Sequence, residues 1–252
     1  MSKRSGSEKQ EDIWIAHTEL AVAPGHPFYK RLNELLEGAG FDEFVEGLSN
    51  LVNGHYVRSH LYLARRLYRE AAAEAKVAIS IDPLSVTLNY HLGAIYYFSR
   101  QYDEAIEQLR KTEELEPLFV ATRHFLACAY ARKGRCQEAL TATEKCLLLS
   151  GRGLRGKALC GGVYALLGKQ LEARKILDEM KPACVFPNFF HAYSCAGIHA
   201  TLGEPSEAFK WLDKAWQGRA AALVYMGSDL SLENLHGDPR FDDLLRRIGL
   251  PS

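Results

Sequence analysis

Apolar residues in this chain recur at helical spacing, and that pattern is itself repeated. Glu-Ala pairs stand at 70–71, 104–105, 138–139, 172–173 and 207–208, at intervals of 34, 34, 34 and 35 residues. Nine positions before each of these alanines lies an aromatic residue or a histidine: Tyr62, Tyr96, Tyr130, Tyr164 and His199. Three positions earlier again comes a small residue: Ser59, Gly93, Ala127, Gly161 and Ala196. Asp82-Pro83 and Glu116-Pro117 close the first two units, and Gly134, Gly168 and Gly203 divide the halves of the later ones. A period of this length held over five units is the mark of a stacked repeat.

Each unit divides into two amphipathic helices. In the second unit Leu92, Ile95, Tyr96 and Phe98 mark the first helix, Gln101 to Asp103 the turn, and Ala105, Ile106, Leu109 and Leu115 the second helix. Pro117 ends it, because proline disfavours helix at the residue before it. Gly93 and Ala105 fall where the paired helices cross, so that a bulky side chain there would push the axes apart. The tyrosines fill the space between units. One pair cannot bury its own apolar face, so the units must stack.

These residues resemble the tetratricopeptide repeat. YHLGAIYYFSRQYDEAIEQLRKTEELEP is similar to that consensus at nearly every signature position, and FLACAYARKGRCQEALTATEKCLLLS and LCGGVYALLGKQLEARKILDEM follow it less closely. The resemblance covers about residues 52 to 218. It implies an all-α fold: a right-handed superhelix, or α-solenoid, of about five helix-turn-helix repeats. The units fall at about 52–84, 85–118, 119–152, 153–187 and 188–219, with a helical extension before them and a capping helix after. With the ending DPRFDDLLRRIGLP, the array also looks like the C-terminal arrays of many bacterial signalling regulators. There it follows a winged-helix, cyclase or kinase domain; no such effector domain is expected here.

The two ends read differently from the array. Over 220–252 a cap is expected: Asp238 as N-cap, Pro239 at the first helical position, acids at 242 and 243, and Arg246, Arg247 and Gly249 at the exit. Phe241, Leu244, Leu245 and Ile248 would then cover repeat five, while Ala220 to Gly237 reads only as short turns. Residues 1–50 lack the register. EDIWIAHTELAVAPGHPFYKRLNELLEGAGFDEFVEGL, residues 11–48, resembles the extreme N-terminus of certain insertion-sequence transposases through GHPFY, RLN and GFDEFVE. Those enzymes cut DNA with three metal-binding carboxylates in an RNase-H-like core, whereas helical repeats follow here, so transposition is not expected. The segment reads as an extra helical pair against repeat one, with Phe28, Leu32, Leu35, Phe41, Phe44 and Val45 in contact, and less readily as a separate binding element.

Composition narrows the function. Thirty-one basic residues balance 31 acidic ones among 252, so no overall field draws the chain to nucleic acid or an anionic membrane. No apolar run reaches membrane-spanning length, and the N-terminus lacks the apolar stretch of a secretory signal, so the expected address is the cytoplasm. Six cysteines without a CxxC pair read as reduced, mostly buried thiols. Gly151 to Gly156 is a literal GxGxxG, but its place in the register is an inter-repeat loop after a helix, whereas the dinucleotide motif follows a strand. The nine histidines form no HExxH and no zinc spacing with cysteine. No metal, cofactor or catalytic set is expected, and no enzyme.

The concave side remains, which repeat proteins present to partners. By register its residues include Tyr56, His60, Tyr90, Tyr97, His124, Arg155 and Tyr193. Such a lining suits an extended peptide or a helix of a partner protein; the other reading is that several of these rings pack between repeats. The family's carboxylate clamp needs Lys and Asn on the first inner helix and Lys and Arg on the third, where Tyr56, His60, Ala121 and Phe125 stand. Protein binding without catalysis is the expected function. A nucleic-acid role through residues 1–50 is the alternative, and that segment offers few cations, Lys3, Arg4, Lys30 and Arg31 among them. The partner and the oligomeric state are not legible.

Overall fold

The structure is a computed structural model and describes residues 52–151, 153–183 and 191–251. The helical extension expected over 1–50 lies outside them. The described residues form eleven α-helices and no strand. Ten pair off as five antiparallel units: α1 (Val52–Ala64) with α2 (Tyr68–Ile81), α3 (Val86–Phe98) with α4 (Tyr102–Leu115), and α5 (Val120–Arg132) with α6 (Cys136–Leu149). Next come α7 (Leu154–Leu166) with α8 (Gln170–Met180), and α9 (Ala192–Thr201) with α10 (Pro205–Gln217). The first helices of units two to five also pack on one another, so the array has an inner and an outer layer and forms the expected right-handed solenoid.

The turn inside every unit is the same Schellman motif, closed by the backbone alone. The N–H opening each second helix bonds to the carbonyl of the recurrent aromatic or histidine five residues earlier: Leu67 to Tyr62, Gln101 to Tyr96, Arg135 to Tyr130, Lys169 to Tyr164 and Glu204 to His199, at 2.8–2.9 Å. None of these second helices has a side-chain N-cap, which is why the register lacks the usual Ser or Asp there. Glu116, before Pro117, is extended and ends α4 where the sequence places the stop.

The recurrent small residues lie at the tightest crossings. Ala71, Ala105, Ala139, Ala173 and Ala208 are all fully buried, as are Ser59, Ala127 and Ala196. A Cβ added to Gly93 would come 2.6 Å from Leu109 Cγ in its own unit, and one on Gly161 2.5 Å from Ile198 Cδ1 of the next. Ser59 is tolerated at its crossing because its hydroxyl donates to the Ala71 carbonyl at 2.7 Å.

Beyond α10 the chain turns back. Two 3-10 turns, Ala221–Tyr225 and Leu230–Leu235, lead into α11 (Pro239–Ile248). Asp238 caps α11 by accepting from the Arg240 N–H, and Gly249 leaves it in the left-handed region. Phe241, Leu244, Leu245 and Ile248 are buried in one core with Phe209, Leu212 and Ala215 of α10. Arg240 stacks on Phe209 at 4.0 Å and Arg247 on Trp216 at 4.8 Å, closing the rim of that core. The cap also reaches the first unit: Arg66 Nη2 donates to the Pro251 carbonyl at 2.9 Å, and Leu61, Ala64, Leu250 and Pro251 face one another across a cavity of about 420 Å³. The two ends of the array therefore meet.

Candidate functional site

The inner face is the candidate site, and the chain itself occupies part of it. The segment read as mere turns, residues 220–237, runs from unit five back across the inner helices. Leu223, Met226, Leu230, Leu232 and Leu235 of this segment are 0–5% exposed, so its apolar side chains complete the core. Leu230 joins the cluster of Tyr97, Leu126, Tyr130 and Val163, spanning units two to four. Polar contacts fix the path. The Tyr193 hydroxyl donates to Asp229 at 2.8 Å, Ser228 Oγ to the Leu63 carbonyl at 3.1 Å, and Asn234 Nδ2 to the Ala200 carbonyl at 3.2 Å. Glu233 takes Arg100 on one oxygen at 2.7 Å and Arg132 on the other, and Arg132 also donates to the Leu230 carbonyl at 2.7 Å.

The concave side expected to face a partner is thus occupied in part by the chain's own returning segment. Near the turns that join the paired helices, the face is filled by the chain's own residues. The physical reason is apolar: five large side chains between 223 and 235 are buried there.

Of the residues placed on the inner face by register, Tyr97 is core, 5% exposed, packed edge-on against Phe98 and Phe125 with centroids 5.5 and 5.3 Å away. Burial holds its phenol well above the usual value. Tyr193 is committed to Asp229, and desolvation together with that carboxylate raises its phenol too. His60 meets the returning segment at Tyr225, Nδ1 to hydroxyl 2.5 Å. It also stacks on His91 with centroids 3.8 Å apart, and Tyr56 stands edge-on to both rings at 4.5 and 5.1 Å.

Hydrogen-bond accounting fixes the tautomer of His91. The single Ser59 hydroxyl proton goes to the Ala71 carbonyl, so the 2.9 Å contact between Ser59 Oγ and His91 Nε2 requires the ring nitrogen to donate. Burial lowers His60 to about 4, and burial with the neighbouring His60 lowers His91 to about 2, so the stacked pair is neutral. His124 is held to about 4 by burial and has Cys128 Sγ at 3.8 Å.

Toward the start of the first helices the inner-face rings are only partly covered among the described residues. Tyr90 is half-buried, edge-on to Phe119 and Phe125 at 5.4 and 5.6 Å, and Tyr56 is half-buried beside it. Burial raises both phenols, and neither hydroxyl bonds to another described residue. Arg155, on the first turn of α7, is exposed and makes no ion pair with another described residue. Register reasoning missed His91, Asp229, Tyr225, Arg132 and Glu233, because their partners lie far away in sequence.

The other motifs resolve simply. A helix, α6, precedes the glycine run, Gly153 is the N-cap of α7, and Gly156 lies inside α7 against Ser150. Among the described cysteines 128, 146, 160 and 195 are buried and 136 is exposed; Cys128 is pushed up to about 12 by burial. No group of three or more metal-ligating side chains converges among the described residues. No helix there is long and apolar enough to cross a membrane.

The comparisons with known proteins define the class first. Residues 86–117 match the tetratricopeptide repeat family model. Among solved structures, a thermophilic TPR protein of Thermus thermophilus is 18% identical, with a TM-score of 0.52 over 72% of this chain and 98% of that one. A tetratricopeptide repeat protein from Parabacteroides merdae is 12% identical, with a TM-score of 0.50 over 87% and 92%. No curated protein matches the sequence significantly. The chain thus carries a tetratricopeptide repeat and has the fold of a tetratricopeptide solenoid.

Proposed function

We propose that the chain is a non-catalytic protein-interaction scaffold whose partner, a peptide or helix, lies on the part of the inner face that the returning segment leaves open. Tyr56, Tyr90 and Arg155 are its contacts, with the neutral rings of His60 and His124 behind them. The observation that carries this reading is the pair of half-buried phenols whose hydroxyls have no partner among the described residues. Their large faces suit an apolar side chain, and their tips suit a partner's backbone. Arg155 adds a guanidinium, without an ion pair among the described residues, for a carboxylate. The buried cysteines 128, 146 and 160 agree with a reducing, cytoplasmic setting.

Affinity capture from the source organism tests the proposal, comparing the wild type with Tyr56→Phe/Tyr90→Phe/Arg155→Glu. The aromatic substitutions keep the rings and remove only the hydroxyls. Partners held by the wild type should be lost from the triple variant and kept by Leu171→Ser, which alters an 83% exposed leucine of α8. An unchanged partner set in the triple variant removes this surface from consideration.

A further inference from the structure

We propose that Arg66 and Arg100 form a latch that holds residues 220–251 against the inner face. All five first helices end in the same Schellman turn, whose C′ residue takes positive φ. In units three to five that residue is Gly134, Gly168 or Gly203, at φ of 71°, 70° and 77°. A Cβ added at any of them meets nothing within 4 Å, so glycine is there for the backbone and not for space. In units one and two the same position holds Arg66 and Arg100, at φ of 61° and 63°.

A long L side chain in the left-handed region is strained, and glycine would relieve the strain with the turn unchanged. Both strained residues place their guanidinium on the returning chain. Arg66 donates to the Pro251 carbonyl at 2.9 Å and Arg100 to Glu233 at 2.7 Å. The second Glu233 oxygen is taken by Arg132 of unit three, so one carboxylate ties two units to the segment. Strain retained where a relaxed residue would serve points to a task for the side chain. Here the task is closure: while the latch holds, His60, Tyr97 and Tyr193 stay covered. The proposal stands independently of the partner surface described above.

The test is a cycle of Arg100→Gly and Glu233→Gln in the full chain, read by hydrogen exchange at amides 225–235 and by proteolysis between 219 and 238. Arg100→Gly alone should open the segment about fivefold more often, despite relief of the turn, because a charge-assisted bond is lost. In the Glu233→Gln background the same substitution should change sign and slow exchange, since there it mainly removes strain. Arg100→Asn, which tolerates the left-handed region without a guanidinium, should open the segment like glycine. Equal protection or equal slowing by Arg100→Gly in both backgrounds overturns the latch.

Discussion

Truncating one leucine of the returning segment should loosen the far end of the solenoid. Leu232 is fully buried and shares a core with Ile198, Leu212, Met226, Leu235 and Phe241. Leu232→Ala removes three carbons, about 2.4 kcal/mol of transfer free energy at roughly 0.8 kcal/mol each. If the surroundings do not collapse, a void of about 70 Å³ adds roughly 1.7 kcal/mol at about 24 cal/mol per Å³. The expected loss is therefore about 2.4 to 4 kcal/mol, a large part of the roughly 5–15 kcal/mol that holds an ordinary domain together. The distribution of that loss is the more telling quantity. In an open repeat array each unit touches only its neighbours, so damage at one end stays there. Here the segment bonds to Leu63 and His60 of α1 as well as to α9. Hydrogen exchange resolved by helix, with urea unfolding followed by circular dichroism and by Trp211 and Trp216 of α10, reads both quantities. Protection should fall in α1 as well as in α10. If α10 loses protection and α1 keeps it, the segment is a local cap and the account of a closed array is wrong.

Acid should weaken the protein before its carboxylates titrate. His60 and His124 are held to about 4 and His91 to about 2, while the unfolded chain protonates near 6.5, so their stability contribution is complete above that pH and is lost as pH falls toward 4 for the first two and toward 2 for His91. At pH 5 each neutral ring costs about 2 kcal/mol, and a melting temperature that stays flat from pH 7 to 5 would contradict this. His91→Gln should flatten part of that slope. Two glycines in first helices should respond oppositely to alanine: Gly93→Ala drives a methyl to 2.6 Å from Leu109 and should destabilise by about 1–3 kcal/mol, while Gly162→Ala meets nothing within 4 Å and should stabilise by about 0.5–1 kcal/mol in a denaturant titration.

What could be read from residues alone was whatever is local and repeated. The buried alanines, the crossings at Gly93 and Gly161 and the stop before Pro117 all depend on contacts within one unit or with the next, so the same requirement recurs about every 34 residues and stands out. The cap was legible for the same reason, since Asp238, Pro239 and Gly249 satisfy their own helix ends. Tyr97 illustrates the limit: its register position suggested an inner-face contact, whereas it packs in a core with Leu230, more than a hundred residues away. Residues 220–237 carry no period, and their partners stand 98 residues off for Leu230 with Arg132, 133 for Glu233 with Arg100 and 165 for Tyr225 with His60. One trace was visible, arginine at 66 and 100 where later units have glycine, but its meaning needed the segment in place. Helix periodicity reports which face of each element is apolar; which distant piece of chain covers that face is settled only when the whole array curves and its two ends come together.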